Sequence, residues 1–337
     1  MSKFYLVIII NSFLCLTAYA QNLKECYASA YKEQLQMLNG EKPADFKRAV
    51  FMTENAFYSD KLNYQAFCQN ISNIAVQLKT MIKVRGIERY HTAGNWATFS
   101  YMTDTIAANN FKPFTYDFDD FTGSKNWSNM FVTKLLKTHS GNCHSLPYLY
   151  KIICAEIGAK AYLALAPNHI YIKHQDETGQ WTNVELTNPG FPRDQWIIKE
   201  MAITVEAIKR NIYMTPLTEK QSIAMAMFDL ACGYKSYYGY DQFVLKTTNT
   251  ALKYFPKCVP LIQLQANCIL SMINAEKKKS KPDTSLILAD IALHKRTLAN
   301  VNALGYKDMP VELYKDWVQS VEAEKRKRGF IKTANTK

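Results

Sequence analysis

Apolar positions recur at helical spacing over most of the chain and switch to strict alternation in one short stretch. Leu23 to Leu38 and Phe67 to Val84 carry apolar stripes with few breakers, which predicts a mostly helical region over 22–110. Asn39-Gly40 and Ala93-Gly94-Asn95 are expected to punctuate it. The aromatic stretch from Phe111 to Phe121, followed by Thr122-Gly123-Ser124, has its period broken by Pro113 and Gly123 and predicts a loop packed on a core. After Gly141 the helical stripe is best defined: Leu146, Leu149, Tyr150, Ile153, Cys154 and Ile157 fall on one face. Pro147 is tolerated only in a first turn, so the helix is expected to start at or just after Cys143. Gly158 sits where a C-terminal glycine stops a helix.

Alternation follows. Ala161 to Ala166 is a short apolar run closed by Pro167, and His169–Lys173 and Thr182–Leu186 alternate with period two. Gln175 to Gly179 reads as the hairpin loop between the last two. A hairpin centred on Glu177 sets His169 opposite Glu185 and Tyr171 opposite Asn183, with Ile170, Ile172, Val184 and Leu186 on the other, buried face. From Pro216 onward no alternation remains, and segments at 259–274 and 284–303 predict further helices.

The first residues change the picture of where the chain resides. Lys3, the apolar run Phe4–Leu16 and Ala18-Tyr19-Ala20 form a secretory leader pattern, with cleavage expected after Ala20 and a periplasmic or extracellular location. No later stretch approaches the ~20 apolar residues of a membrane span, so no integral membrane segment is expected after leader removal. Taking 20 residues from 337 leaves a chain long enough for two domains. The net charge of +12 gathers at Lys277–Lys279 and Lys325–Arg328, in segments expected to be loop or tail. Nucleic-acid binding is not expected, because no basic recognition motif accompanies the charge. Of eight cysteines, seven follow the leader, and export permits disulfides. Cys26 and Cys68 are expected to pair. No cysteine or histidine spacing suits zinc, and no cofactor or metal is expected.

The candidate chemistry lies between Gly141 and Glu185. A thiolate, not a thiol, attacks a carbonyl, and a free cysteine with a pKa of ~8.5 is mostly protonated at neutral pH. A helix N-terminus and a nearby imidazolium both favour the anion. Cys143 opens the best-defined helix, His169 opens a strand, and Glu185 shares a sheet face with His169. That order suits nucleophile, base and base-orienting acid. His144 is read as a neighbour rather than the base, and Cys154 as a buried, inert thiol. The backbone N–H of Cys143 is one expected oxyanion donor, and Trp127 is a candidate for the second.

Three segments carry a resemblance: Gly141-Asn142-Cys143, Asn168-His169-Ile170-Tyr171-Ile172 and Trp181-Thr-Asn-Val-Glu185. They resemble the Gly-x-Cys helix start, the strand-opening His and the acid after a Trp of transglutaminase-like, papain-type cysteine enzymes. The likeness spans about 75 residues of the chain. It departs from the family pattern in having Glu185 for the usual Asp and Tyr171 for the usual Trp. Leu230-Ala231-Cys-Gly-Tyr234 with Ala251-Leu252 and Pro256 resembles a tetratricopeptide repeat. The combination is similar to bacterial transglutaminase-like proteins of the SirB type.

The resemblance implies an α+β fold. Residues 21–215 would form a helical N-terminal portion plus a papain-like core, with the Cys helix on an antiparallel sheet. Residues 216–337 would form an all-α helical-hairpin, tetratricopeptide-like domain. It implies a cysteine hydrolase or acyltransferase acting through Cys143, His169 and Glu185 on a peptide, protein or cell-wall amide. The C-terminal helices would offer a surface for a protein partner. The alternative reading is a non-enzymatic protein-binding scaffold with a vestigial site.

Overall fold

The computed structural model describes residues 23–334. The leader and its expected cleavage site lie outside the described residues. The fold class is α+β, with β structure among the described residues in one three-stranded sheet, one two-stranded pair and an isolated Glu185–Gly190 bridge. Two compact units form, and they do not follow a single cut along the chain. One comprises residues 23–66 with Thr218–Leu298, the other Phe67–Leu217 with residues 299–334.

The first unit is helical. Helices α1 (residues 23–39) and α2 (Phe46–Phe57) belong to it with α9 (Glu219–Tyr238), α10 (Gln242–Tyr254) and α11 (Val259–Lys277). α9 packs on α2 and α10, and α10 on α11. Thr218 starts α9 with a reciprocal cap: its hydroxyl accepts from Gln221 N–H at 3.2 Å, and Gln221 Oε1 accepts from Thr218 N–H at 2.9 Å. Tyr27 meets Tyr234 edge-on at 5.3 Å, and Tyr234 stacks on Phe243 at 4.3 Å, so rings from α1, α9 and α10 share one core.

The second unit carries the sheet. α3 (Tyr64–Arg85) leads into it, and α4 (Ala93–Thr103) begins where punctuation was expected. Gly94 serves close packing there, since a Cβ at this position would lie 2.6 Å from the Ala159 Cβ. The Phe111–Phe121 stretch, expected as loop, contributes the strand β1 (Thr115–Tyr116). α5 (Val132–Thr138) leads to β2 (Ser140–Gly141), which runs parallel to β1. α6 (Ser145–Ile157) packs on α4, α5 and the sheet with its stripe Leu146, Leu149, Ile153 and Cys154 buried. Each large aliphatic of that stripe contributes roughly 1.5–3 kcal/mol. Gly158, left-handed at φ 82°, ends the helix as expected.

Strands β3 (Tyr162–Ala166), β4 (His169–Gln175) and β5 (Trp181–Val184) form the antiparallel sheet in that order. Ala166 pairs with His169 across the turn Pro167-Asn168, where Asn168 takes a left-handed φ of 55°. The β4–β5 register corrects the expected one. Lys173 pairs with Asn183 and Ile172 with Val184, so the hairpin is centred on Thr178 rather than Glu177. The cause is local: Asp176 Oδ1 accepts from Thr178 N–H, the Thr178 hydroxyl and Gln180 N–H, and Gly179 turns at φ 84°. The slip is two residues, so each side chain keeps its face.

Two short helices follow, α7 (Asp194–Glu200) and α8 (Val205–Lys209). α12 (Thr284–Ala303) precedes the last helix, α13 (Val311–Ala334). Lys325–Arg328, expected in an irregular tail, lies inside α13. No helix among the described residues is long and apolar enough to cross a membrane.

Candidate functional site

Cys143 is held by the residues on either side of it. A Cβ on Gly141 would lie 2.7 Å from both Leu135 Cδ1 and Ser145 Oγ, so the chain enters the helix through a space only glycine fits. Asn142 then caps the first turn. Its Oδ1 accepts from the N–H of His144 at 3.0 Å and of Ser145 at 3.1 Å, and its carbonyl accepts from Leu146 N–H at 3.1 Å. Cys143 thereby stands at the N-terminal end of α6, half-buried, with Sγ 4.0 Å from the Asn168 carbonyl oxygen.

His169 opens β4 directly after Asn168. It is buried, and its Nε2–H donates to Glu185 Oε2 at 2.6 Å. Cys143 is near enough to the ring to help raise its pKa. Glu185 Oε1 accepts from Leu186 N–H at 2.9 Å, Thr187 N–H at 2.8 Å and the Thr187 hydroxyl at 2.7 Å. The structure therefore places Cys143 beside the residue that precedes His169, and joins His169 directly to Glu185.

The electrostatics favour charge on both buried partners. Burial disfavours the charged imidazole, but the Glu185 carboxylate that accepts from the ring and the nearby Cys143 outweigh it and hold His169 well above the ordinary histidine range. Burial likewise opposes ionisation of Glu185, and the His169 charge with the donors of Thr187 outweighs it, holding the carboxyl below its ordinary range. The pair is an imidazolium and a carboxylate at neutral pH.

Other residues take defined places. His144 turns away: its Nδ1 lies 3.1 Å from the Met130 carbonyl oxygen and its ring packs on Tyr148. Trp127 belongs to the one-turn helix Trp127–Met130, whose Asn129 and Met130 bond Asn142 and His144, and its indole N–H is buried with no acceptor among the described residues. Tyr116 was not singled out from the sequence. Burial, then the charges of Cys143 and Glu185, push its phenol upward, so a neutral hydroxyl stands beside the site. Its only sequence signal was membership of the aromatic stretch. Asn142 and Thr187, which hold the cysteine and the acid, carried no signal beyond their capping chemistry.

Cys154 and Cys258 are buried thiols pushed up to about 12 by burial, and burial pushes Cys232 up as well. Cys68 is a thiol, and the Cys26 thiol bonds Asp60 with burial raising it to about 11, so the expected Cys26–Cys68 disulfide is absent. No group of His, Cys, Asp or Glu among the described residues is arranged to hold a metal ion.

A cavity of about 510 Å³ adjoins His169 and Glu185. Tyr116, Phe118, Trp196 and Met201 form part of its wall, and α13 lies across from them. Glu185 and Trp196 also line a shallower neighbouring cleft with Phe191. The chain matches no family model, no curated protein and no solved structure.

Proposed function

We propose that this chain is an exported cysteine hydrolase of the transglutaminase-like type, with a papain-like core, that cleaves an amide in a peptide, protein or cell-wall polymer. The observation that carries the reading is the 2.6 Å hydrogen bond from the His169 ring to Glu185, with Cys143 at a helix start and its Sγ 4.0 Å from the carbonyl oxygen of Asn168, the residue before His169. The leader pattern before Gln21 supports export.

In the proposed reaction, the Cys143 proton rests on His169 Nδ1 as an imidazolium, and the Cys143 thiolate adds to the amide carbonyl carbon. The oxyanion accepts from Cys143 N–H, and the Trp127 indole N–H, which has no acceptor among the described residues, is the candidate second donor. His169 then protonates the leaving nitrogen, the C–N bond breaks, and an amine departs from a thioester on Cys143. Neutral His169 takes a proton from water as the hydroxide adds to the thioester. Collapse expels the thiolate and releases a carboxylic acid. Glu185 holds the ring orientation and stabilises each imidazolium. Hydrolysis is favoured over amine transfer because water is abundant and nothing marks an acceptor-amine site. The helical hairpins α9–α11 would present a surface for substrate or a protein partner.

The test is a screen of the mature protein against peptide and cell-wall amides, with Cys143→Ala beside it. Thiol-dependent cleavage lost in Cys143→Ala supports the proposal. Partner binding untouched by Cys143→Ala, with no turnover anywhere in the screen, overturns it in favour of a scaffold.

A further inference from the structure

Trp196 and Glu200 stand one turn apart on α7, and both line the cavity of about 510 Å³ beside His169 and Glu185. Trp196 is 46% exposed, a large ring presented to solvent rather than packed away. Tyr116, whose phenol feels the charges of Cys143 and Glu185, lines the same cavity. A lone exposed aromatic is ordinary on a protein surface. One set in the wall of a cavity, beside buried titratable groups, is placed for ligand recognition.

The charge of the cavity runs against that of the chain. The sequence carries 41 Lys and Arg against 29 Asp and Glu, yet the described residues of this lining include Glu185, Glu200, Asp316 and Glu324 and neither Lys nor Arg. Two of the four acids are engaged: Glu185 holds His169, and Glu324 Oε2 lies 3.9 Å from Lys327 Nζ. Glu200 and Asp316 are exposed and have no ion-pair partner among the described residues. Carboxylates beside an aromatic face favour a cation, and a planar one most. A guanidinium stacks on a ring and offers N–H groups to carboxylates at its edge, whereas an ammonium is a point charge. Trp196 also lines the shallower neighbouring cleft with Phe191 and Pro192. A chain leaving the cavity has that second surface to follow, which suits a side chain of a peptide over a free cation.

We propose that Trp196, Glu200 and Asp316 are specificity-determining residues that seat an arginine side chain of the peptide substrate, with the guanidinium against the Trp196 ring and its N–H groups toward the two carboxylates. The proposal rests on the hydrolase reading above, since it names the substrate which that site selects. A guanidinium stays protonated and is no nucleophile, so an arginine bound here leaves the thioester to water.

The experiment measures, by ligand-observed NMR, the Kd of acetyl-Ala-Arg-Ala-amide and of its citrulline and lysine counterparts for the Cys143→Ala chain, which consumes none of them by thiol chemistry. Citrulline keeps the shape of arginine without the charge, and lysine keeps the charge without the plane. The arginine peptide should bind about tenfold tighter than citrulline and about threefold tighter than lysine. Glu200→Gln combined with Asp316→Asn, both at exposed positions where folding is not at risk, should cut the preference over citrulline to less than about threefold. Trp196→Leu should remove the preference over lysine. Equal binding of arginine and citrulline peptides, a lysine peptide that binds as tightly as arginine, no binding by the arginine peptide, or a preference that survives the variant aimed at it overturns the proposal. The measurement needs no turnover. A failed subsite therefore leaves the hydrolase reading standing, and a failed hydrolase shows as arginine-selective binding with no cleavage in the amide screen.

Discussion

Glu185 reaches His169 diagonally across the hairpin. The observed register, continued one step past Val184, sets Glu185 opposite Tyr171, two residues along from His169, yet its Oε2 lies 2.6 Å from His169 Nε2. Diagonal neighbours on one sheet face lie within reach of long side chains. Glutamate supplies that reach, and the Thr187 backbone and hydroxyl hold its other oxygen in place. An aspartate here would fall short of either the ring or Thr187. Glu185→Asp is therefore expected to lose about tenfold or more in kcat/KM, comparable to misplacing a catalytic group by an ångström. Steady-state kinetics of the purified variant check this.

Glu185→Gln keeps the length and removes the charge. With the amide oxygen retained on the Thr187 donors, the NH2 faces His169 Nε2, which must then accept. That tautomer puts a proton on Nδ1 toward Cys143 and removes the acceptor for the thiol proton. A loss of about 10²–10⁴ in kcat/KM is expected, in the manner of other triads whose acid is made an amide. The tautomer itself can be read by nitrogen NMR of labelled histidine.

The His169–Glu185 pair also makes stability depend on pH. His169 is raised in the fold, so its contribution is full below its ordinary value of 6.5 and is lost as pH rises through the higher folded value. Glu185 is lowered, so its contribution is full above its ordinary value of 4.5 and is lost as pH falls through the lower folded value. The Tm difference between the native chain and Glu185→Gln should be largest between those two ordinary values and shrink on both sides. A difference that keeps growing above pH 9 would contradict the assignment of charge to this pair.

Gly141→Ala forces a Cβ to within 2.7 Å of Leu135 and Ser145 and should cost about 1–3 kcal/mol, as overpacking does. Asn142→Ala removes the cap of α6 and should cost about 1 kcal/mol. Urea denaturation measures both. Activity should fall further than stability predicts, because both residues set the position of Cys143.

The order of cysteine, histidine and acid, and the elements they sit on, could be read from the sequence because each element has a strong local pattern. The stripe after Gly141 and the alternation after Asn168 are both dense in apolar residues. The register slipped because the hairpin centre is decided by Asp176, a polar side chain that folds back on its own loop. Gly94 read as a breaker because sequence alone does not reveal that Ala159 presses against it. Lys325–Arg328 read as tail because four consecutive basic residues carry no apolar period. The exchange of residues 23–66 and 299–334 between the two units depends on contacts far apart in the chain, which no local period records.

The central claim is a covalent bond to Cys143 during turnover. Acid quenching in the first turnovers of an amide substrate, followed by peptide mass mapping, tests it most directly. The account predicts an acyl adduct on the Cys143 peptide that hydroxylamine removes, absent from Cys143→Ala and sharply reduced in His169→Ala. Turnover with no adduct at Cys143, or turnover that survives Cys143→Ala, would contradict it.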